Sequence, residues 1–344
     1  MSRIPGKQGK PTVKDIAQAA QVSPATVSNA LNNRRGVSAE IRNLIFAKAH
    51  ELGYEREKTN GRPAIRLVVY KRHGMVLADT PFFASLIEGL EKQSRLSGYD
   101  LVISHYAAQP SEQAELRHVL QTDRSAGVIM LATEMQTDDL EVLTALHSPV
   151  VLLDSRFHAC RYDRVLINNV EAAYTATRHL IDRGHCQIGY LHSAIAINNF
   201  YDREAGYREA LASAGLRPDR SHRLLLEPTL EGACRDMLAL LATRPALPTA
   251  YFADNDIIAC GAMKALQASG YRIPEDVSLV GIDDMPFCEL TTPRLSTVRV
   301  LKQEIGSLAV RRLMEKLAGD QTVVQIEVGS ELVVRDSVRL MKVT

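Results

Sequence analysis

Residues 12–54 read TVKDIAQAAQVSPATVSNALNNRRGVSAEIRNLIFAKAHELGY, and this stretch decides how the chain begins. Thr12 with Asp15 three residues on has the spacing of a helix capping box, and Ile16, Ala17 and Ala20 then recur on one face. Ser23 is a natural N-cap, and Pro24 occupies the first helical position, where a missing N–H costs nothing. The spacing predicts two short helices meeting at Gln21 and Val22. Ser38 caps a third, with Ile41, Leu44, Ile45, Ala49 and Leu52 inward and Gly53 at its end. Helices this short do not stand alone, but three apolar faces, with Val27 and Leu31 from the middle helix, can close a small shared core.

The middle helix is then free to protrude. Its outward positions, Pro24, Ala25, Thr26, Ser28, Asn29 and Asn32, are small or amide-bearing, a chemistry that reaches base edges and phosphates. Such a face also suits plain solvation. The nearby Arg34, Arg35, Arg42 and Lys48 tip the reading toward a polyanion. Charge along the chain agrees: Met1 to Arg66 carries 12 Lys/Arg against 5 Asp/Glu, and the remainder 29 against 35. A net charge of +1 therefore conceals a basic head and a larger acidic body.

With 344 residues, 46% hydrophobic and 24% charged, the chain has room for about two domains and is not a disordered polymer. Cys160, Cys186, Cys234, Cys260 and Cys288 are odd in number and form no close pair, so they read as buried thiols of a reducing compartment. The opening MSRIPGKQGKP lacks an apolar run, and nowhere do about 18 apolar residues follow one another. The expectation is a cytoplasmic, nucleoid-associated protein with no membrane partner. Nucleophile elbow, phosphate-binding glycine loop and dinucleotide fingerprint are missing, and the histidines have no metal-ligand spacing. Neither catalysis nor a metal or other cofactor is expected.

After Pro63 the pattern changes. Apolar runs at 66–70, 99–106, 126–131 and 149–154 alternate with helical stretches near 82–97, 111–122 and 137–146. A second series at 188–193, 223–228, 249–253 and 277–283 alternates with helices near 169–183, 202–214, 231–243 and 256–269. Continuous apolarity marks strands covered on both faces, so the body reads as two doubly wound parallel-sheet α/β lobes. Ligands in such sheets sit at the carboxyl ends of strands, where Asp154, His192, Ser193, Asn255, Asp256, Asp283 and Asp284 fall. Asp256 and Asp284 equally suit helix caps. From Leu301 a helix follows, and VVQIEVGSELVVRDSV, broken at Gly329 and Ser330, reads as a closing hairpin.

Through Asp15-Ile16-Ala17, Val22-Ser23, Thr26-Val27-Ser28, Leu31-Asn32, Val37-Ser38 and Leu52-Gly53-Tyr54, the head resembles that of the lactose/galactose repressor (LacI/GalR) family of bacterial transcription regulators. Further matching pieces are DTPFFASLIEGLE, PVVLLD, DREAGYREAL, FADNDIIACGAMKALQASGYRIPEDVSLVGIDD and PRLSTVRV, so the resemblance covers nearly the whole chain. It implies a helix-turn-helix head before a periplasmic-binding-protein-like body. Pro24, Ala25 and Asn29 would read bases, Ser23, Thr26 and Ser28 would face phosphates, and Thr12, Asn32, Arg34 and Arg35 would flank them. Many relatives have Arg where this chain has Asn29, which favours adenine over guanine at one operator position. Relatives also carry a hinge segment whose leucine enters the minor groove, whereas EREKTNGRPA is shorter and has no leucine.

The resemblance further implies effector contacts from Asp154, Arg203, Asn255 and Asp283, with Phe82 and Phe83 against a sugar ring. Relatives reach the PFF motif within a few residues of the first strand, but this chain inserts KRHGMVLADT. Lys71 and Arg72, with His73, stand at that strand end and point to a negatively charged effector, a sugar acid or sugar phosphate. The expected map is a head at 11–56, a hinge at 57–64, a first lobe at 65–162 plus 291–322 and a second at 163–290 plus 323–344. No heptad tail follows Val338, so a homodimer on a pseudopalindromic DNA operator is expected, probed by a small-molecule effector that shifts two states. The competing readings are a transport-type sugar-binding protein, which leaves the basic head without a purpose, and a carbohydrate-acting enzyme.

Overall fold

The computed structural model describes residues 11–31, 39–52, 62–77, 81–146 and 148–341, which divide into two units, Met1–Gly61 and Arg62–Thr344. In the first unit Thr12 opens α1 (Val13–Ala19), donating to Asp15 Oδ2 from its backbone N–H at 2.6 Å and from its hydroxyl at 2.7 Å. These bonds lower the Asp15 pKa. Ser23 caps α2 (Pro24–Leu31), its Oγ accepting from the Thr26 N–H at 3.0 Å. Gln21 turns the chain between them in the left-handed region at φ 52°. Against both lies α3 (Ala39–Glu51), and Ile16, Ala17, Ala20, Val27, Ala30, Ile45 and Ala49 close the core.

That core is narrower than the sequence predicts. Ile41, Leu44 and Leu52 are 39%, 44% and 40% exposed. Helices of seven and eight residues cover only one strip of a 13-residue partner, and Ile45 and Ala49, four apart, are that strip. The Leu31 side chain, Asn32, Arg34, Arg35, Ser38, Gly53 and residues 57–61 of the expected hinge lie outside the described residues.

The second unit contains two six-stranded sheets. The first runs β11 (Gln325–Val328), β5 (Asp163–Ile167), β4 (Val150–Leu153), β3 (Val128–Leu131), β1 (Ala64–Lys71), β2 (Asp100–Ala107), parallel throughout. The second runs β12 (Ser330–Val333), β10 (Ser296–Val300), β9 (Ser278–Asp283), β8 (Ala250–Ala253), β6 (Ile188–Ser193), β7 (Arg223–Leu226), with only β12 antiparallel to its neighbour. Strands β3, β4, β6, β8 and β9 are buried along their whole length, as strands covered on both faces must be. The covering helices are α4 (Pro81–Leu96), α5 (Pro110–Thr122), α6 (Asn169–Asp182), α7 (Asn198–Ser213), α8 (Leu230–Leu241), α9 (Asp256–Ala268) and α10 (Lys302–Leu317). Where α4 meets α10, a Cβ on Gly89 would strike the Gln303 carbonyl and one on Gly306 the Leu86 carbonyl, so both positions need glycine.

The chain crosses between the lobes three times, after Ile167, Val300 and Val328. This corrects the expected lobe map. β5 at 163–167 belongs to the first sheet, β10 within 291–322 to the second, and β11 within 323–344 to the first. The expected closing hairpin is likewise absent: Gly329 separates β11 and β12, which pair in different sheets, because β11 extends beside β5 while β12 returns along β10. The stretch at 137–146 forms a 3-10 helix over Thr137–Ala145.

Candidate functional site

In each sheet the strand order reverses once, between β1 and β3 and between β6 and β8. The carboxyl ends at such reversals leave a crevice. Here the two crevices face each other across a cleft lined from both lobes. The first lobe lines it with Val76, Phe82, Phe83, Thr133, Asp154 and Ile167, the second with Ile197, Asn199, Phe200, Arg203, Asn255, Ile257, Asp283 and Met285.

Asp154, directly after β4 of the first sheet, and Asp283, closing β9 of the second, have backbones in the positive-φ region, at 63° and 119°. Non-glycine residues there store strain of about 1–3 kcal/mol each, so surrounding bonds must hold them. For Asp154 these are Thr133 Oγ1, donating to Oδ2 at 2.7 Å, and Asn199 Nδ2, donating to Oδ1 at 3.2 Å and to the backbone carbonyl at 3.1 Å. For Asp283 they are the Arg203 guanidinium, 3.3 Å from Oδ1, and Lys302, whose Nζ donates to the Asp283 carbonyl. Burial pushes both carboxyls up, Asp154 to about 6; Thr133 and Arg203 pull that group back while Asp283 adds to the rise.

Arg203 is 3% exposed and bonded through all three nitrogens: Nε donates to Asn169 Oδ1 at 2.8 Å, Nη1 to the Asp254 carbonyl and Nη2 to Asp283, while its guanidinium lies 5.8 Å from the Phe200 ring centre. Asn255 caps α9 by accepting from the Ile258 N–H at 3.0 Å, which leaves its amide nitrogen for the cavity. The helix cap is thus Asn255, not Asp256. Asp256 is buried behind the cavity, bound to Thr297 at 2.6 Å and to the Met285 N–H at 2.9 Å, and burial raises its pKa to about 7. Asp284 pairs with Arg299 and Arg335 away from the cavity. His192 and Ser193 also fall outside it: His192 Nδ1 sits 2.8 Å from the buried Asp254 carboxylate, which also takes the Tyr190 hydroxyl and the Ser193 N–H.

Phe82, Phe83, Asp154, Arg203, Asn255 and Asp283 are therefore brought together. Lys71 and Arg72 are not. Arg72 Nη1 bonds Asp139 Oδ2 at 2.7 Å beyond the opposite face of the first sheet, and Lys71 lies beside His105. His73 is held 3.2 Å from the buried Glu134. The chain turns back over Glu134 after β1, so the charges of the insert leave the cavity and its apolar Val76 enters. Sequence reasoning missed Thr133, Asn199, Phe200 and Val76. Of these Asn199 is the most telling, because its Oδ1 is buried without a hydrogen-bond partner in a residue that lines the cavity. Among the described residues no group of His, Cys, Asp and Glu is arranged to hold a metal ion.

In the head, Thr12, Ser23, Pro24 and Ala25 are exposed, and Thr26, Ser28 and Asn29 are half-buried along α2. Ser23 Oγ also pairs with Thr26 Oγ1 at 2.8 Å, ordering two of the hydroxyls expected to face phosphates.

Residues 12–57 match the family model for bacterial regulatory proteins of the lacI family, and residues 177–338 match that for a periplasmic binding protein-like domain. The chain is 32% identical over 336 residues to the HTH-type transcriptional repressor PurR of Mannheimia succiniciproducens, covering 95% of this chain and 98% of that protein. It is 32% identical over 309 residues to the ribose operon repressor of Haemophilus influenzae, covering 89% and 92%. Among solved structures, the transcriptional regulator CelR in complex with cellobiose superposes with a TM-score of 0.73 at 27% identity, covering 95% of this chain and all of that one.

Proposed function

The chain belongs to the LacI family of bacterial regulatory proteins, and from that premise we propose that it is an operator-binding repressor governed by a neutral, sugar-type effector held between its two lobes. It is a regulator and not an enzyme. The observation that carries the effector class is the cavity itself. Two carboxylates, a carboxamide oxygen without a partner and a carboxamide nitrogen surround a space walled by Phe82, Phe83 and Phe200. Carboxylates and amides each bond ligand hydroxyls, and aromatic faces take the C–H surface of a ring. Among the described residues Arg203 is the one cation lining the cavity and it is already paired with Asp283, while Lys71 and Arg72 lie elsewhere, which favours a neutral ligand over an acidic one. The cellobiose-bound and ribose-operon relatives support a carbohydrate.

In the head, Pro24, Ala25 and Asn29 meet base edges in the major groove, and Thr12, Ser23, Thr26 and Ser28 meet phosphates. The protein works as a homodimer on a pseudopalindromic operator. Exposed Val102 and Ile103 on the edge strand β2, with Leu225 on the edge strand β7 and Leu230 and Leu238 on α8, supply apolar surface for the pairing. Effector closure of the lobes is transmitted through Lys302, whose ammonium bonds the Asp283 and Asp284 carbonyls and sits 5.7 Å from the Phe82 ring centre at the start of α4. Fluorescence anisotropy with DNA from the protein's own upstream region, repeated at two salt concentrations and with a sugar panel, tests the reading. A palindromic duplex is bound over its scrambled version, and at least one neutral sugar changes that affinity; an equal grip on both duplexes defeats it.

A further inference from the structure

The segment Arg72–Leu77 wraps around a single carboxylate. Glu134, fully buried just beyond β3, accepts on Oε2 from the N–H groups of Arg72 at 2.9 Å, His73 at 3.1 Å and Gly74 at 2.8 Å. On Oε1 it accepts from Val76 at 3.0 Å and Leu77 at 3.2 Å. Burial alone would favour the protonated acid, but His73 and the amides outweigh it and hold the carboxyl down at about 2, so the template stays charged. Five donors converging on one side chain fix the path of six residues. The path delivers Val76 to the cavity, where it packs against Ile197 and Phe200 of the opposite lobe. Among the described residues this wall, drawn from both lobes, contains no polar side chain.

We propose that Arg72–Leu77, templated on Glu134, is a specificity cap that selects effectors presenting a deoxygenated edge to Val76, Ile197 and Phe200. The inference rests on the sugar reading of the cavity. A ligand hydroxyl aimed at this wall loses its water and finds no donor or acceptor, whereas a methyl or methylene group in the same place is buried favourably. Glu134 touches no ligand and acts as a positioning residue through the backbone of Val76.

Calorimetric titration of the full chain with matched pairs tests this: L-fucose against L-galactose, L-rhamnose against L-mannose, 6-deoxy-D-glucose against D-glucose and 5-deoxy-D-ribose against D-ribose. In a pair that binds, the deoxy member is held about tenfold to a hundredfold more tightly, the scale at which one hydroxyl is discriminated. Val76→Thr, close to isosteric, brings the ratio toward one by giving the hydroxyl a partner. Glu134→Gln lowers the ratio too, whereas a residue serving stability alone would weaken both members equally. Equal affinities within every bound pair, or a ratio unmoved by Val76→Thr, overturn the cap. No binding by any probe overturns the sugar reading and the cap with it.

Discussion

Replacing Asp154 with asparagine should stabilise the body at neutral pH while it destroys effector binding. The carboxyl is buried, bonded by neutral donors and close to a second carboxylate, and its pKa is raised from 3.8 to about 6. A raised native pKa means that the folded chain holds this proton more tightly than the unfolded one. The associated stability is complete below pH 3.8 and is lost as pH rises through 6. Two pKa units correspond to about 3 kcal/mol over the whole window, roughly half of it between pH 5 and 8. Asparagine keeps the shape, tolerates the positive φ of this position, and can present its oxygen to Asn199 and its nitrogen to the Thr133 hydroxyl. Urea unfolding followed by circular dichroism suits a chain without tryptophan. Asp154→Asn is expected to gain on the parent between pH 5 and about pH 7 and to level off above that, with sugar affinity reduced at least tenfold at every pH. A difference in stability that stays flat with pH, or a loss at pH 8, refutes the assignment of a strained, desolvated carboxylate.

Arg203→Met strands the buried Asp283 and Asn169 and should cost about 3–5 kcal/mol of body stability, read by the same unfolding measurement. Ile16→Ala removes one of the two largest side chains of the seven-residue head core at a cost of about 2–5 kcal/mol, so operator affinity collapses while sugar titration is unchanged. Lys302→Met keeps the apolar stem and deletes the ammonium between the Asp283 carbonyl and Phe82; sugar affinity moves less than tenfold, and the sugar-induced change in operator affinity, measured by anisotropy, shrinks. Asn29→Ala relaxes base preference at one operator position by about 1–3 kcal/mol in site selection and leaves the salt slope intact, since no phosphate charge is touched.

The strands covered on both faces were legible because continuous apolar runs have one structural meaning, and Asp154 and Asp283 were legible because strand ends are where a parallel sheet exposes polar groups. The direction taken after a strand end was not. Lys71 and Arg72 looked like cavity cations until Glu134, some sixty positions further along, proved to turn the chain back. No local pattern announces that partnership, since a glutamate in a short loop reads as a solvated charge. The five-residue strands DRVLI and STVRV were passed over because arginine interrupts each, and both sit at lobe crossings where turn residues and strand residues mix. Asn199 carries no signal in NNF beyond that of an ordinary helix start; only the bonds it makes, and the one it leaves unmade, set it apart.

The three passages of the backbone between the lobes have an evolutionary cost and benefit. Neither lobe is a single stretch of gene, so recombination cannot exchange one for that of a cousin without cutting at several points, and sensing must drift by substitution around a fixed frame. The opening helices are one uninterrupted stretch with a core of their own, and can be traded whole. Address and signal are thus free to evolve at different rates, one by shuffling and the other by point change.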